Sequence, residues 1–225
     1  MLTILSPIEI ESSPDREILQ NAGIDGGWNY FVDHAFLLKE IRSFMSSCEN
    51  KFPTVLDIGV GNSMLHTFLE EHLSIGIIGV DRIFGNCPFD ARDRRMDLCI
   101  NFEENSFFEN NVDLIYWNSS IEHNSAEGIK NALKSSFKAL KPGGLLLATF
   151  EISENKHWFD PADQLNLSVE DAELIFEDQF IDDRTFQDIR SEYLQNPMGL
   201  ADRHRKRFQH DDISYVVGGL SQFKA

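Results

Sequence analysis

The segment Val55-Leu56-Asp57-Ile58-Gly59-Val60-Gly61-Asn62-Ser63, running into Met64-Leu65-His66-Thr67-Phe68-Leu69, constrains the chain more than any other. A short apolar run ends at two glycines. Apolar residues then recur at helical spacing, with Leu65, Phe68 and Leu69 on one face. The pattern predicts a buried strand, a tight turn and a helix from Met64 to Leu73. Glycine suits such a turn because a side chain would hold a ligand off the backbone, and because the turn calls for positive φ. A molecule in the turn meets the helix N-terminus, where free N–H groups point outward. About twenty residues on, Asp81 closes a second apolar run, Ile75 to Val80. An acidic side chain there accepts hydrogen bonds from both hydroxyls of a ribose. A glycine turn alone also describes a plain strand-to-helix connection. With Asp81 it points to an adenosine-containing ligand.

The rest of the middle repeats the alternation of strand and helix. Arg95 to Leu98 reads as a short third strand and Val112 to Trp117 as a fourth. Ala126 to Leu140 reads as a helix stopped by Pro142-Gly143-Gly144, and Leu145 to Phe150 as a fifth strand. Phe31 to Met45 has helical spacing before the first strand. Ser168, followed by Glu170 and Asp171, marks a later helix start with acidic residues at the positive end of the dipole. Ile213 to Val217 reads as a late strand and Gln222 to Ala225 as a ragged end. The expected fold is α/β: a Rossmann-like three-layer sandwich around a mostly parallel, doubly wound, seven-stranded sheet. Residues 1–225 are expected to form one domain. Residues 1–50 would make an N-terminal helical cap, 51–152 the ligand-binding core, and 153–225 a C-terminal half. Residues 187–208 would interrupt the sheet's last hairpin with substrate-specific structure.

Composition narrows the class. The 225 residues are 42% hydrophobic and 25% charged, as in ordinary globular proteins. No stretch reaches the roughly 20 apolar residues of a membrane helix, and the start shows no basic leader, so a cytoplasmic location without membrane partners is expected. Lys+Arg 20 against Asp+Glu 37 gives a formal charge of -17. Such a surface repels phosphate backbones, which disfavours a nucleic-acid partner. The basic run His204-Arg205-Lys206-Arg207 reads as a solvated helix face. Cys48, Cys87 and Cys99 show no metal-ligand spacing and read as reduced structural thiols; no metal is expected.

Which nucleoside the turn holds is set by two details. A dinucleotide turn prefers G-x-G-x-x-G, and the third glycine is missing here, since Met64 stands in its place. Asp57 lies two positions before Gly59 and would serve a pyrophosphate poorly, but a sulfonium or an amino group well. Both favour S-adenosylmethionine over a nicotinamide dinucleotide.

Val55 to Asn62 resembles the first motif of class I S-adenosylmethionine-dependent methyltransferases, D-x-G-x-G, and Gly79-Val80-Asp81 resembles their second. Asp113 to His123 is similar to the fourth-strand run of the small-molecule members, and Leu140-Lys141-Pro142-Gly143-Gly144 to the turn before their fifth strand. The likeness covers roughly residues 50 to 152; Asn62-Ser63 departs from it where many members carry a third glycine. It implies an enzyme that transfers a methyl group from S-adenosylmethionine to a small molecule, such as a sugar or secondary metabolite. It also implies roles: Gly59, Gly61 and Asn62 line the methionine part, Asp57 holds its amino group through water, and Asp81 binds the ribose. Arg82 and Ile83 border the adenine, Asp97 with Leu98 meets the adenine amino group, and Asn118 and Ser119 lie near the methyl.

Other residues keep two readings. Asp97 taken alone is more often a surface carboxylate, and only its position after the third strand raises it. His123 is the candidate general base, with a near-neutral ordinary pKa, or a residue that packs at a helix start. Glu122 reads as structural. His157, Trp158 and Asp160 either shape an acceptor pocket or form a loop. Trp28, Asn29 and Tyr30 either close over the cofactor or pack. An NAD(P)-dependent oxidoreductase and a non-catalytic binding subunit remain as alternatives.

Overall fold

In the computed structural model, residues 1–24, 30–61, 64–73, 75–81, 96–99, 102, 108–160, 163–181, 183–209 and 212–225 are described, without the side chains of Tyr30 and residues 96–99. Asn62, Arg82 and Ile83, like Trp28 and Asn29, lie outside the described residues.

The expected strands form because runs such as Val112–Trp117, every residue of which is buried, are covered on both faces. The strands are β1 (Leu2–Ile4), β2 (Val55–Ile58), β3 (Ile77–Asp81), β4 (Met96–Cys99), β5 (Val112–Trp117) and β6 (Leu140–Ile152). β7 (His157–Phe159), β8 (Gln164–Asn166) and β9 (Val216–Phe223) follow. The helices are α1 (Pro7–Glu11), α2 (Pro14–Asn21), α3 (Tyr30–Ser47), α4 (Met64–Leu73) and α5 (Ala126–Ala139). α6 (Val169–Phe176), α7 (Phe186–Leu194) and α8 (Leu200–Phe208) complete them.

Strands β2 to β6 are parallel and β9 runs antiparallel beside β6. These six strands build the body of the sheet. The three-residue β1 pairs antiparallel with β9 at the edge, giving the order β1-β9-β6-β5-β2-β3-β4. The expectation of a seven-stranded sheet closed by a C-terminal hairpin is corrected here. The C-terminal half gives this sheet only β9, and the edge strand comes from the opposite end of the chain. After α6 the chain makes one bridge, Phe180 to Leu2, and leaves for α7, so no full strand forms there. β7 and β8 make a separate two-stranded hairpin.

Two adjacent glycines show how the layers meet. A side-chain carbon on Gly218 would lie 2.7 Å from the Phe150 ring, and one on Gly219 would lie 2.9 Å from the Phe36 ring. Phe150 packs on Phe176 of α6, while Phe36 belongs to α3. Neighbouring residues of a strand face opposite sides, so α3 and α6 cover opposite faces. Helix α5 starts on Ser125, whose hydroxyl accepts the Gly128 N–H at 3.2 Å, and buries Ile129, Ala132, Leu133 and Ser136. Ser136 in turn accepts the Trp117 indole N–H at 3.1 Å, which ties the helix to β5.

Residues 187–208 form α7, a 3-10 turn at Pro197–Gly199 and α8. In α8 His204 is buried against Phe208 and Tyr215, while Arg205, Lys206 and Arg207 face outward. No helix among the described residues is long and apolar enough to cross a membrane.

Candidate functional site

The chain runs from β2 outward to β3 and β4, then returns to the other side of β2 with β5 and β6. At such a reversal the carboxyl ends of the two central strands splay apart and leave a crevice. Gly59 and Gly61 leave β2 at this point with φ +71 and +46. The turn is pinned from β3: Gly59 donates its N–H to the Val80 carbonyl at 2.7 Å, and Gly61 donates to Asp81 Oδ2 at 2.9 Å. It is pinned from β5 by Ser120, whose hydroxyl donates to the Ile58 carbonyl at 2.8 Å. The half-buried Asp81 therefore shapes the glycine turn as well as standing at the crevice.

Asp57 sits beneath the turn rather than in it. It is fully buried, accepts the Tyr116 hydroxyl at 2.9 Å, and has His66 Nδ1 3.5 Å away. His66 Nε2 lies 3.7 Å from Glu70 Oε1, and that oxygen accepts the Ile77 N–H at 3.1 Å. Asp57 Oδ1 is buried with no hydrogen-bond partner among the described residues.

Beyond β5, Asn118 and Ser119 close the crevice on the side away from β3. Ser119 has φ +44, a costly conformation for a non-glycine residue, and donates its N–H to Thr149 Oγ1 at 3.0 Å. The Asn118 amide donates to His34 Nε2 at 3.2 Å. Burial pushes the His34 imidazole down to about 4, against the opposing pull of a hydrogen bond to the Ile24 backbone. The ring is thus neutral and accepts.

Around these two residues lies a group of acids, of which the sequence reading named only Glu122, as structural. Asp33 from α3, Glu122 from the 3-10 turn Ile121–His123 and Glu151 from β6 are all buried. Burial, then the nearby Glu151, drives the Asp33 carboxyl well above the usual carboxylate range; the Thr149 and Ser119 hydroxyls face it and oppose the rise. Burial, then Glu151, raises Glu122 as well, and the carboxyls of Glu122 and Glu151 share a hydrogen bond. The Tyr193 phenol from α7 faces Asp33 and Glu151 and is raised chiefly by burial. Asp33 and Glu151 were missed because they stand 89 and 29 residues from Glu122 in sequence, and lone acids ordinarily read as surface. The one local signal was Glu122, beside the residue chosen as a base.

His123 itself is exposed, and its Nδ1 lies 2.6 Å from the Asp163 carbonyl. Asp97 and Leu98 lie in β4 beside Gly79 and Val80, with their side chains outside the described residues. His157 and Trp158 lie exposed on β7. Asp113, the first residue of its motif, lies at the far end of β5 and holds Lys141 at 2.7 Å and the Thr54 N–H at 2.8 Å. No group of acidic, His and Cys residues able to hold a metal occurs among the described residues.

Residues 56–148 match the methyltransferase domain family. Over those residues the chain is similar to methyltransferase domains, as the motifs of its sequence are. A phosphoethanolamine N-methyltransferase of Plasmodium falciparum is 34% identical over 131 residues, which are 55% of this chain and 49% of that protein. The chain thus spans about half the length of that curated relative. Among solved structures, a phosphoethanolamine N-methyltransferase of Haemonchus contortus shares the fold at TM-score 0.58 and 14% identity, over 95% of this chain and 61% of that one. A cyclopropane synthase of Mycobacterium tuberculosis does so at TM-score 0.57 and 14% identity, over 94% of each. At that identity the likeness speaks for the fold, and function rests on the site.

Proposed function

We propose that this chain transfers a methyl group from S-adenosylmethionine to a small-molecule acceptor. The observation that carries the reading is the glycine turn at the strand reversal, with Asp81 accepting the Gly61 N–H beside it. The residues fit the cofactor: a side-chain carbon on Gly61 would meet only the Gly59 carbonyl at 3.9 Å among the described atoms, so the turn is open on that side. Gly59 and Gly61 would face the methionine part, Asp81 the ribose, and Asp57 the amino group through water. The cofactor supplies an electrophilic methyl group. The chain's own part is to hold the acceptor in line beside Asn118 and Ser119, where alignment alone gives much of the acceleration. A relative in the same fold supports the reading, since the Haemonchus enzyme carries S-adenosylhomocysteine. A melting-temperature screen tests it: S-adenosylhomocysteine should stabilise the protein and NAD should not. Stabilisation by NAD alone would replace this reading with an oxidoreductase.

A further inference from the structure

We propose that the acceptor is a basic amine, whose ammonium group is held by Asp33, Glu122 and Glu151 beside Ser119. The inference rests on the cofactor reading above and adds the chemical class of the second substrate.

Three carboxyl groups in one buried place are costly unless something offsets them. Among the described residues no lysine or arginine pairs with Asp33 or Glu122. Asp33 is 0% exposed, and neither of its carboxyl oxygens has a hydrogen-bond partner of proper geometry. Glu122 Oε2 and Ser119 Oγ are likewise buried without one. These groups come from elements packed on one strand: α3 and the Ile121–His123 turn both lie against β6, and Thr149 and Glu151 share the face of β6 that meets α3, opposite Phe150. A fully buried carboxyl beside a hydrogen-bonded carboxyl pair is an incomplete site: burial keeps these acids protonated when it is empty, and a cation bound among them would let them ionise. Its donors and acceptors match an ammonium, which has N–H donors and no acceptor.

The position is that of an acceptor. Ser119 faces Asp33, and the next residue, Ser120, touches the glycine turn. The buried Tyr193 brings its phenol to Asp33 and Glu151. An acid that holds protons strongly also suits the step before transfer. An ammonium N–H bond breaks, its electron pair stays on nitrogen, and the proton goes to a carboxylate oxygen of Glu122. The freed lone pair then faces the crevice.

The test is calorimetry on the full chain, with and without S-adenosylhomocysteine, using butylamine, benzylamine and spermidine against butanol and benzyl alcohol. At least one amine should bind and the matched alcohols should not. Glu122→Gln and Asp33→Asn keep the shapes, and each should weaken amine binding about ten- to hundredfold with S-adenosylhomocysteine affinity unchanged. Alcohols binding as well as amines, or both folded variants binding amines like the wild type, would overturn the proposal. Amine binding in a protein that ignores S-adenosylhomocysteine would instead overturn the cofactor reading and leave the amine site standing.

Discussion

Ser120 occupies the space that a side chain on Gly59 would need: an added Cβ would lie 2.5 Å from Ser120 Cβ and 2.7 Å from its Oγ. Gly59 also has φ +71, where other residues are strained by about 1–2 kcal/mol. Gly59→Ala should therefore cost about 2–4 kcal/mol of stability from overpacking and strain together. Ser120→Gly, which also removes the bond to the Ile58 carbonyl, should cost less stability in the Gly59→Ala background than in the wild type, by the overpacking it relieves. Urea denaturation of the single and double variants checks this. Equal stability of Gly59→Ala and wild type would mean that Ser120 does not pack on the turn.

The buried trio of Asp57, Tyr116 and His66 makes a second prediction. Tyr116→Phe removes the one short hydrogen bond to Asp57 Oδ2, at 2.9 Å, and leaves a carboxyl buried. The expected loss is about 1–3 kcal/mol in chemical denaturation. The same variant should bind S-adenosylhomocysteine more weakly, because Asp57 anchors the strand end from which the turn departs.

His34 sets a pH dependence whose sign follows from its environment. Its pKa falls from 6.5 to about 4 on folding, chiefly through burial. Between those values the unfolded chain binds more protons than the folded one. The stabilisation is therefore complete above pH 6.5 and is lost as pH falls through about 4, a total of about 3 kcal/mol. Asp33 and Glu122 act in the opposite sense, since their raised values favour the fold at low pH. The contribution of His34 is isolated by comparison with His34→Gln, which can still pair with Asn118. The variant should lose less stability than the wild type between pH 7 and pH 5, measured by denaturant midpoint. An equal loss would place the imidazole in water.

Much of the fold was legible because its signals are local. α3, α4, β5 and α5 begin and end within about two residues of the readings from apolar periodicity. What failed was non-local. β1 has three residues and gains its stability by pairing with β9 and bridging to Phe180, both distant in sequence. The late strand reads as Ile213 to Val217 in sequence, stopping short of Gly218-Gly219. It continues to Phe223 because the rings of Phe150 and Phe36 fill the space above those glycines. Pro142-Gly143-Gly144 was read as a helix stop before a separate strand. It lies within β6, whose pairing with β5 shifts register between Val112 and Leu114. Ser6-Pro7 and Ser13-Pro14 did carry local signals for α1 and α2, a capping serine before a first-turn proline, and these went unread. At the site, the glycine turn and Asp81 stand together as their spacing implied. The carboxyl group did not announce itself, since nothing in a sequence brings residues 33, 122 and 151 together until strands and helix have docked.

The exposed position of His123, against the buried one of Glu122, separates two candidates for the proton-handling group. His123→Ala should change turnover by less than about threefold, while Glu122→Gln should lower it by roughly 10²–10⁴-fold. Single-turnover assays with an amine acceptor check both. The reverse ranking would return the base role to His123.

The central claim is that the turn at Gly59 and Gly61, tied to Asp81, binds S-adenosylmethionine. Titration of S-adenosylhomocysteine into wild type and Asp81→Ala by calorimetry tests it most directly. The wild type should bind one equivalent. The variant, still folded, should bind more weakly by about 1.5–3 kcal/mol, the range for hydrogen bonds to a charged group. Equal affinity in the two proteins, or no binding to the wild type, would contradict the account.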